Sequence, residues 1–239
     1  MRRTANTLAA AFIALAIPCT AAESLAPQAI SASYDLYRNG LHVAVMNETF
    51  ESRGNEYRIV SDTQAVGLLA LFQRQPVRVV SAGRVTASGL QPLHFEGKRS
   101  ESDPRRVRGE FDWQAGQLTI EHGGQVEKLA LPRGTQDRLS ILYQLMFLAP
   151  GKQQNLEIAM TNGRKLGHYQ YTVKPGVEID TPLGRMTTLH IVRQQKPNEN
   201  DVEIWVSPQH RLLPVKVLLD EDGTRYEQFI TRLEIKEQP

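Results

Sequence analysis

The chain has 239 residues, of which 41% are hydrophobic, with 28 lysines and arginines against 26 aspartates and glutamates. This hydrophobic fraction is ample for a packed core. Two of the arginines lie in the first three residues, so the remaining chain has balanced charge, which argues against a nucleic-acid-binding protein.

The amino-terminal segment has the order of a secretory signal peptide. Two arginines precede an apolar run from Leu8 to Ile17, which Pro18 ends. The run has about 10 residues, whereas a membrane-spanning helix needs roughly 20. Small residues follow it, so we expect cleavage after Ala21 or Ala22. The prediction is a signal peptide over residues 1–22 and a periplasmic mature protein without a transmembrane segment.

Cys19, the only cysteine, permits a second interpretation as the acylated first residue of a lipoprotein. A lipoprotein cleavage site needs a small residue immediately before the cysteine, but Pro18 occupies that position. We therefore favour the soluble form. Cleavage after Ala22 leaves no cysteine, and so no disulfide, thiol nucleophile or thiolate metal site.

Residues 23–239 are predicted to form a single antiparallel β domain, because short runs with period-two alternation recur between turn signals. The first hairpin has Asn39-Gly40 between two alternating segments, which is a strong hairpin signal. About six strands are expected in the second half. Further strands in the first half are predicted at Glu56–Gln64, Val77–Thr86, Leu93–Ser100, Arg106–Trp113, Gln117–Glu121 and Val126–Leu131.

The segment from Arg105 to Trp113 has the clearest alternation. Val107, Gly109, Phe111 and Trp113 share one face, and charged residues occupy the other. One buried face and one solvated face are typical of antiparallel sheets, since parallel sheets are covered on both sides.

One helix is predicted at Asp137–Ala149, with Thr135 or Asp137 as its cap and Pro150-Gly151 after its end. Apolar residues lie almost all round it, so we expect it to be enclosed by protein. The shorter apolar stretch Val66–Phe72 is predicted to form a turn of helix or a loop over an opening. The expected fold is all-β, a curved sheet or open β-barrel with one enclosed α-helix.

The sequence shows no recognisable catalytic or metal-binding motif. We therefore expect that the protein is not an enzyme and that it binds neither a cofactor nor a metal. No two of the six histidines have the short spacing that is usual for metal ligands. Ser140 lies in the apolar helix without an obvious base, and there is no Gly-x-Ser-x-Gly motif. Several acidic residues, including Glu48, occupy alternating strand positions, which predicts a solvated face. A pair of carboxylates for glycoside hydrolysis stays an open alternative, because such a pair is assembled in space from residues distant in sequence.

A basic cluster is a candidate site for phosphate groups, such as those of lipid head groups. It consists of Lys98, Arg99, Arg105, Arg106 and Arg108. Glutamates and aspartates are interleaved with it and cancel its field. We therefore favour a charged hairpin around Asp103-Pro104.

A family resemblance is visible in Asp180–Tyr226, which contains DTPLGRMTTLHIVR and EIWVSPQHRLLPVKVLLDEDGTRY. This stretch resembles the domain-of-unknown-function family numbered 3108. The Gly89–Pro92 turn and the segment DRLSILYQL also match that family's pattern. The resemblance implies no catalytic residues.

A looser likeness is to periplasmic lipoprotein carriers and sorting proteins. In those proteins a tryptophan-bearing strand, a Leu-Pro turn and an Asp-Gly hairpin build one end of an open barrel, as Trp205, Leu213-Pro214 and Asp222-Gly223 do here. The likeness implies an apolar-ligand or envelope-binding role, at the level of fold. For Trp205 we favour a core or rim position in the sheet over a ligand contact.

Three functions stay open: a carrier of an apolar envelope molecule such as a lipid, an assembly factor that contacts envelope proteins, and a hydrolase of envelope polymers. The first is favoured, because the apolar strand residues outnumber what one short helix can cover. The predicted ligand-binding residues are Leu68, Leu69, Phe72, Tyr143, Met146, Phe147 and Trp205.

Overall fold

The computed structural model describes residues 26–73, 75–147, 154–194 and 200–238. The predicted signal peptide at residues 1–22 and its cleavage site lie outside these residues.

Within the described residues one sheet of 15 strands dominates the fold. A short helix α1 and three 3-10 helices connect some of the strands, with α1 at Ser140–Gln144 and the 3-10 helices at Gly67–Leu71, Leu145–Phe147 and Pro208–His210. The strands are β1 Ala29–Arg38, β2 Leu41–Arg53, β3 Glu56–Ala65, β4 Val77–Thr86, β5 Gly89–Lys98, β6 Val107–Asp112, β7 Gln117–His122, β8 Gln125–Ala130, β9 Gln136–Asp137, β10 Asn155–Thr161, β11 Leu166–Thr181, β12 Gly184–Arg193, β13 Asp201–Ser207, β14 Leu213–Glu221 and β15 Thr224–Lys236.

The sheet consists of two antiparallel meanders that meet in the middle. Its order is β8-β7-β6-β5-β4-β3-β2-β1-β15-β14-β13-β12-β11-β10-β9. The first strand pairs with the last, from Ala29 opposite Lys236 to Arg38 opposite Tyr226. Only the short β9 is parallel to its neighbour, β10. Strand β9 also contacts β5, which brings the two halves of the curved sheet together. The prediction of an antiparallel, curved all-β fold with an enclosed helix is confirmed.

Both hairpins predicted from Asn-Gly and Asp-Gly pairs are confirmed. Asn39 and Gly40 have φ angles of 48° and 79°, and Asp222 and Gly223 have φ angles of 50° and 75°. Two successive residues with positive φ form the turn whose twist matches that of the flanking strands.

The predicted turn at Gly89–Pro92 is wrong, because these residues begin β5. The chain turns instead at Ala87 and Ser88. Pro92 lacks an N–H, and the pairing of β4 with β5 shifts register between Ala82 and Gly83, the partner of Pro92. A proline is tolerated in a strand at such an irregularity.

The predicted helix Asp137–Ala149 is shorter than expected. Asp137 belongs to β9, α1 covers Ser140–Gln144, and a 3-10 turn continues to Phe147. Leu148 and Ala149 lie outside the described residues. Asp137 does cap the start, since its carboxylate accepts the N–H groups of Leu139 and Ser140 at 2.9 and 2.8 Å.

The enclosure of α1 is uneven. Ile141, Tyr143 and Leu145 are buried, whereas Leu142 is half-buried. The last of these faces a space that the sheet leaves open.

Three apolar clusters form the core. The first includes Phe50, Phe95 and Tyr143, and the second includes Tyr34, Trp205 and Ile230. The third packs the 3-10 turn after α1 against β10–β13, through residues such as Leu145 and Ile191. Residues of both the first and the second cluster, such as Val79 and Met46, line an unfilled region beside the central strands.

Candidate ligand-binding cleft

The unfilled region is an open cleft of about 490 Å³. This volume is within the range of small-molecule binding sites. Strands β1–β4, β14 and β15 form its walls, and the start of α1 closes one side. Its lining residues are Leu36, Tyr37, Val43, Met46, Glu48, Ser61, Thr63, Val77, Val79, Arg138, Leu139, Leu142, Val217, Leu219, Tyr226, Glu227 and Gln228.

The apolar lining follows from strand alternation. Val77 and Val79 are two positions apart on β4, as Val217 and Leu219 are on β14. Residues with this spacing point to the same face of a sheet. The same alternation that builds the core therefore also supplies the apolar walls of the cleft.

Glu48 lies in the wall of the cleft and is only 3% exposed. Such deep burial is unusual for an acidic residue. The hydroxyl of Tyr143 donates a hydrogen bond to its Oε2 at 3.0 Å, and Ser61 bonds to the same carboxyl. Among the described residues no cationic side chain forms an ion pair with it. Burial raises the pKa of Glu48 from 4.5 to about 7. Near neutral pH the carboxyl of Glu48 is therefore only partly ionised.

Stacked aromatic rings hold the partner of Glu48 in place. The rings of Phe50 and Tyr143 lie 5.4 Å apart with an interplanar angle of 12°, and the Phe50 and Tyr57 rings lie 6.2 Å apart. Such contacts add to the energy of apolar burial. Tyr143 is therefore a rigid core residue that fixes Glu48 in the cleft wall.

A buried polar network anchors the start of α1. Ser81 on β4 donates a hydrogen bond to Oδ2 of Asp137 at 2.6 Å, and the hydroxyls of Ser81 and Tyr57 lie 3.1 Å apart. Burial raises the pKa of Asp137, although its hydrogen bonds act against this. The network determines where the next residues, Arg138 and Leu139, meet the cleft.

The seven residues predicted to bind a ligand lie outside the cleft lining. Leu68, Leu69 and Phe72 are exposed at the 3-10 helix Gly67–Leu71, with Phe72 88% exposed. Tyr143 is buried, and Met146 and Phe147 pack against the first core cluster. The structure does not bring the seven together at the cleft, and their ligand role stays a prediction.

Trp205 lies in the sheet core, in the second cluster. Its ring stacks on His190 with the centroids 4.3 Å apart, and Nζ of Lys216 lies 4.8 Å from its centroid. Nε2 of His190 also forms a hydrogen bond of 2.6 Å with Oε2 of Glu203. These contacts favour the structural interpretation of this tryptophan.

The interpretation of Glu48 as part of a solvated face is wrong. It alternates with Ala44, Met46 and Phe50 on β2, and all four residues are buried. The sequence signal for a buried Glu48 is that it is the single acidic residue in an otherwise apolar alternating series.

The predicted charged hairpin is confirmed for part of the basic cluster. Lys98 lies 3.0 Å from Glu96, whose carboxylate also binds Arg106 at 2.7 Å. Arg108 lies 3.0 Å from Glu110. These three cations have carboxylates at 3.0 Å or closer, whereas Arg99 and Arg105 share the more distant Asp103 at 3.8 and 3.6 Å.

Two further features are absent from the described residues. No group of three or more histidine, cysteine, aspartate and glutamate side chains is arranged to hold a metal ion. Nor does any helix in this part of the chain have the length and apolar character needed to cross a membrane.

Several solved structures are similar to this chain. A β-barrel-like protein of the domain of unknown function DUF1849 from Brucella abortus has a TM-score of 0.55 and 12% identity, covering 90% of this chain and 100% of its own. A protein from Bacteroides fragilis, described as exported with a YmcC-like fold, has a TM-score of 0.36 and 10% identity, with coverages of 86% and 95%. A protein from Parabacteroides distasonis, described as a lipoprotein, has a TM-score of 0.36 and 10% identity, with coverages of 89% and 99%. The first likeness supports the fold alone.

No curated protein matches this chain. A family model does, over residues 33–224, and its description is "Protein of unknown function (DUF3108)". The match covers most of the chain and agrees with the resemblance seen in Asp180–Tyr226. The protein therefore belongs to the DUF3108 family.

Proposed function

We propose that this protein is an exported, non-enzymatic binder of an apolar envelope molecule, and that an acyl chain occupies the cleft. The observation that carries this proposal is an open cleft of about 490 Å³ with mainly apolar walls. Covering apolar surface that is in contact with water is favourable. An apolar ligand would recover the contacts that the walls lack. The leader pattern at residues 1–22 supports export.

The amphipathic character of the cleft suits such a ligand. Most of its walls are aliphatic, while the half-buried Thr63 on β3 and Gln228 on β15 add polar groups. Small-molecule sites commonly combine an apolar lining with a few polar groups that fix orientation.

Hydrolysis of envelope polymers is the weaker alternative, although two carboxyl groups line the cleft. Glu227 is held by Arg225 at 2.9 Å and Lys216 at 3.6 Å. Glu48 is nearly inaccessible, because Tyr143 and Ser61 occupy its carboxyl. A general acid must reach the atom it protonates. The family adds no catalytic residues to this pair.

The test is binding of a fluorescent fatty-acid probe, together with native mass spectrometry of protein purified from a bacterial periplasm. Thr63→Trp should fill the cleft from β3 and reduce probe affinity at least tenfold, with an unchanged far-ultraviolet circular dichroism spectrum. The matched control is Val126→Trp on edge strand β8, where the side chain is 64% exposed. Equal binding by both variants, or no binding by the wild type, would reject the proposal.

A further inference from the structure

A second pocket of about 290 Å³ adjoins the cleft, and we call it the basic pocket. Val77 and Arg138 line both spaces, so the two are neighbours at these residues. Five of its lining side chains are basic: Lys98, Arg99, Arg105, Arg138 and Arg164. Asp103 is its acidic lining residue.

The pocket assembles from distant parts of the chain. The turn between β10 and β11 carries Arg164, and Gly163 in that turn packs directly on β6. A Cβ added to Gly163 would lie 2.8 Å from Cβ of Val107, and its φ of 82° also favours glycine. This close approach brings Arg164 to the pocket beside the hairpin that carries Arg99 and Arg105.

Asp103 offsets only part of the positive charge. Its carboxylate lies 3.8 Å from Arg99 and 3.6 Å from Arg105, so two arginines share one weakly engaged anion. The same carboxylate accepts the backbone N–H groups of both residues, at 2.8 and 3.0 Å. Nε of Arg99 is buried and has no hydrogen-bond partner in the described residues. Buried donors of this kind normally have a partner.

Arg138 and Arg164 are less compensated still. Within the described residues neither forms an ion pair with a carboxylate, and their positive charges repel each other. Asp137 attracts Arg138, but its oxygens are already bonded to Ser81 and to the N–H groups that begin α1. The basic pocket thus has at least two guanidinium groups without a carboxylate at ion-pair distance.

We infer that the ligand of the cleft is an anionic lipid whose phosphate head group occupies the basic pocket. This inference rests on the proposed function, because the acyl chain must lie in the cleft. Arginine binds phosphate through paired, charge-assisted hydrogen bonds. Arg99, Arg138 and Arg164 offer such donors, and the two spaces are close enough at Val77 and Arg138 for one lipid to place its chain in the cleft and its head group in the basic pocket. An apolar cleft by itself would not select the charge of the head group.

The test compares two lipids with the same acyl chain, lysophosphatidylglycerol, whose head group contains an anionic phosphate, and a monoacylglycerol, which has no phosphate and no charge. Displacement of a fluorescent fatty-acid probe by each lipid gives its affinity. We expect the wild-type protein to bind lysophosphatidylglycerol about tenfold more tightly, with a preference that decreases as salt is added. In Arg99→Gln/Arg164→Gln, which changes residues that line the basic pocket and not the cleft, the preference should disappear while binding of the monoacylglycerol persists.

The matched control is Arg58→Gln/Arg84→Gln, which removes two exposed arginines from β3 and β4, away from both spaces. Equal affinity of the wild type for the two lipids would overturn the inference and leave the proposed function standing. Binding of neither lipid nor probe would reject the proposed function itself. Inorganic phosphate that binds as tightly as the lipid would also overturn the inference, because the pocket would then act independently of the cleft.

Discussion

Tyr143 on α1 donates a hydrogen bond of 3.0 Å to Oε2 of Glu48 on β2, although the two residues are 95 positions apart in the chain. The contact joins the enclosed helix to the wall of the cleft. It also gives a buried carboxyl one of its few polar partners. The stability of the fold and the chemistry of the cleft therefore depend on the same pair of side chains.

Tyr143→Phe should lower the free energy of unfolding by about 1–3 kcal/mol, because it leaves a buried acceptor without this partner. The ring contacts with Phe50 remain, so the loss reports the hydrogen bond. Urea denaturation measures the change. Tyr226→Phe is the control, since Tyr226 is half-buried and its hydroxyl has no hydrogen bond within the described residues. Equal losses in both variants would contradict the assignment.

Stability should decrease as the pH rises from about 4.5 to about 7. Burial raises the pKa of Glu48 over this interval, so the folded protein keeps a proton that the unfolded chain has released. The contribution of Glu48 to the free energy of unfolding is fully present below pH 4.5 and is lost as the pH rises through the folded-state pKa, by about 3 kcal/mol. Burial raises the pKa of Asp137 as well, and its effect has the same sign.

Glu48→Gln should flatten this pH profile in part, since Asp137 still titrates. Chemical denaturation at a series of pH values between 4 and 8 measures the slope. Glu127→Gln serves as the control, because Glu127 is exposed on β8 and should leave the slope unchanged. A wild-type protein that gains stability across this interval would show that Glu48 is ionised in the folded state.

Leu142 in α1 and Leu145 in the 3-10 turn after it should differ in their contribution to stability. Leu145 is 2% exposed in the third core cluster, and Leu145→Ala should cost about 2–5 kcal/mol. Leu142 is half-buried beside the cleft, so Leu142→Ala leaves less of a new cavity and should cost less. Thermal or urea denaturation of both variants gives the comparison. A larger loss for Leu142 would mean that the cleft is filled by packing in solution.

Local pattern predicted much of the sheet. The strand Val77–Thr86 has the predicted bounds, and both two-residue turns form as their Asn-Gly and Asp-Gly pairs indicate. These features depend on residues close in sequence. The pairing of Ala29 with Lys236 joins the first strand to the last. The alternation of residues within a single strand does not show which distant strand it pairs with.

The candidate site was much less predictable. Glu48 has the alternating position of a surface residue, and only the apolar residues around it on β2 distinguish it. Arg138 and Arg164 do not belong to the basic cluster in sequence, and the fold brings them to Arg99 and Arg105. Leu68 was predicted to bind a ligand because it is apolar, but it is exposed in the structure. The side-chain type alone does not determine where a segment between two strands lies on the sheet.

Gly83→Ala should destabilise the protein strongly, because the register shift between β4 and β5 leaves no room for a side chain there. An added Cβ would lie 2.1 Å from the carbonyl oxygen of Gln91 and 2.8 Å from Cα of Pro92, and backbone atoms cannot move aside as a side chain can. We expect a loss of about 1–3 kcal/mol or more in the free energy of unfolding, as for other overpacked sites. Gly109→Ala on β6 is the matched control, since its added Cβ meets side-chain atoms at 3.6 Å or beyond. Urea denaturation of the two variants measures the difference. If Gly83→Ala were as stable as Gly109→Ala, the close approach at Pro92 would be absent in solution, and β5 would begin after the proline, as the sequence pattern predicted.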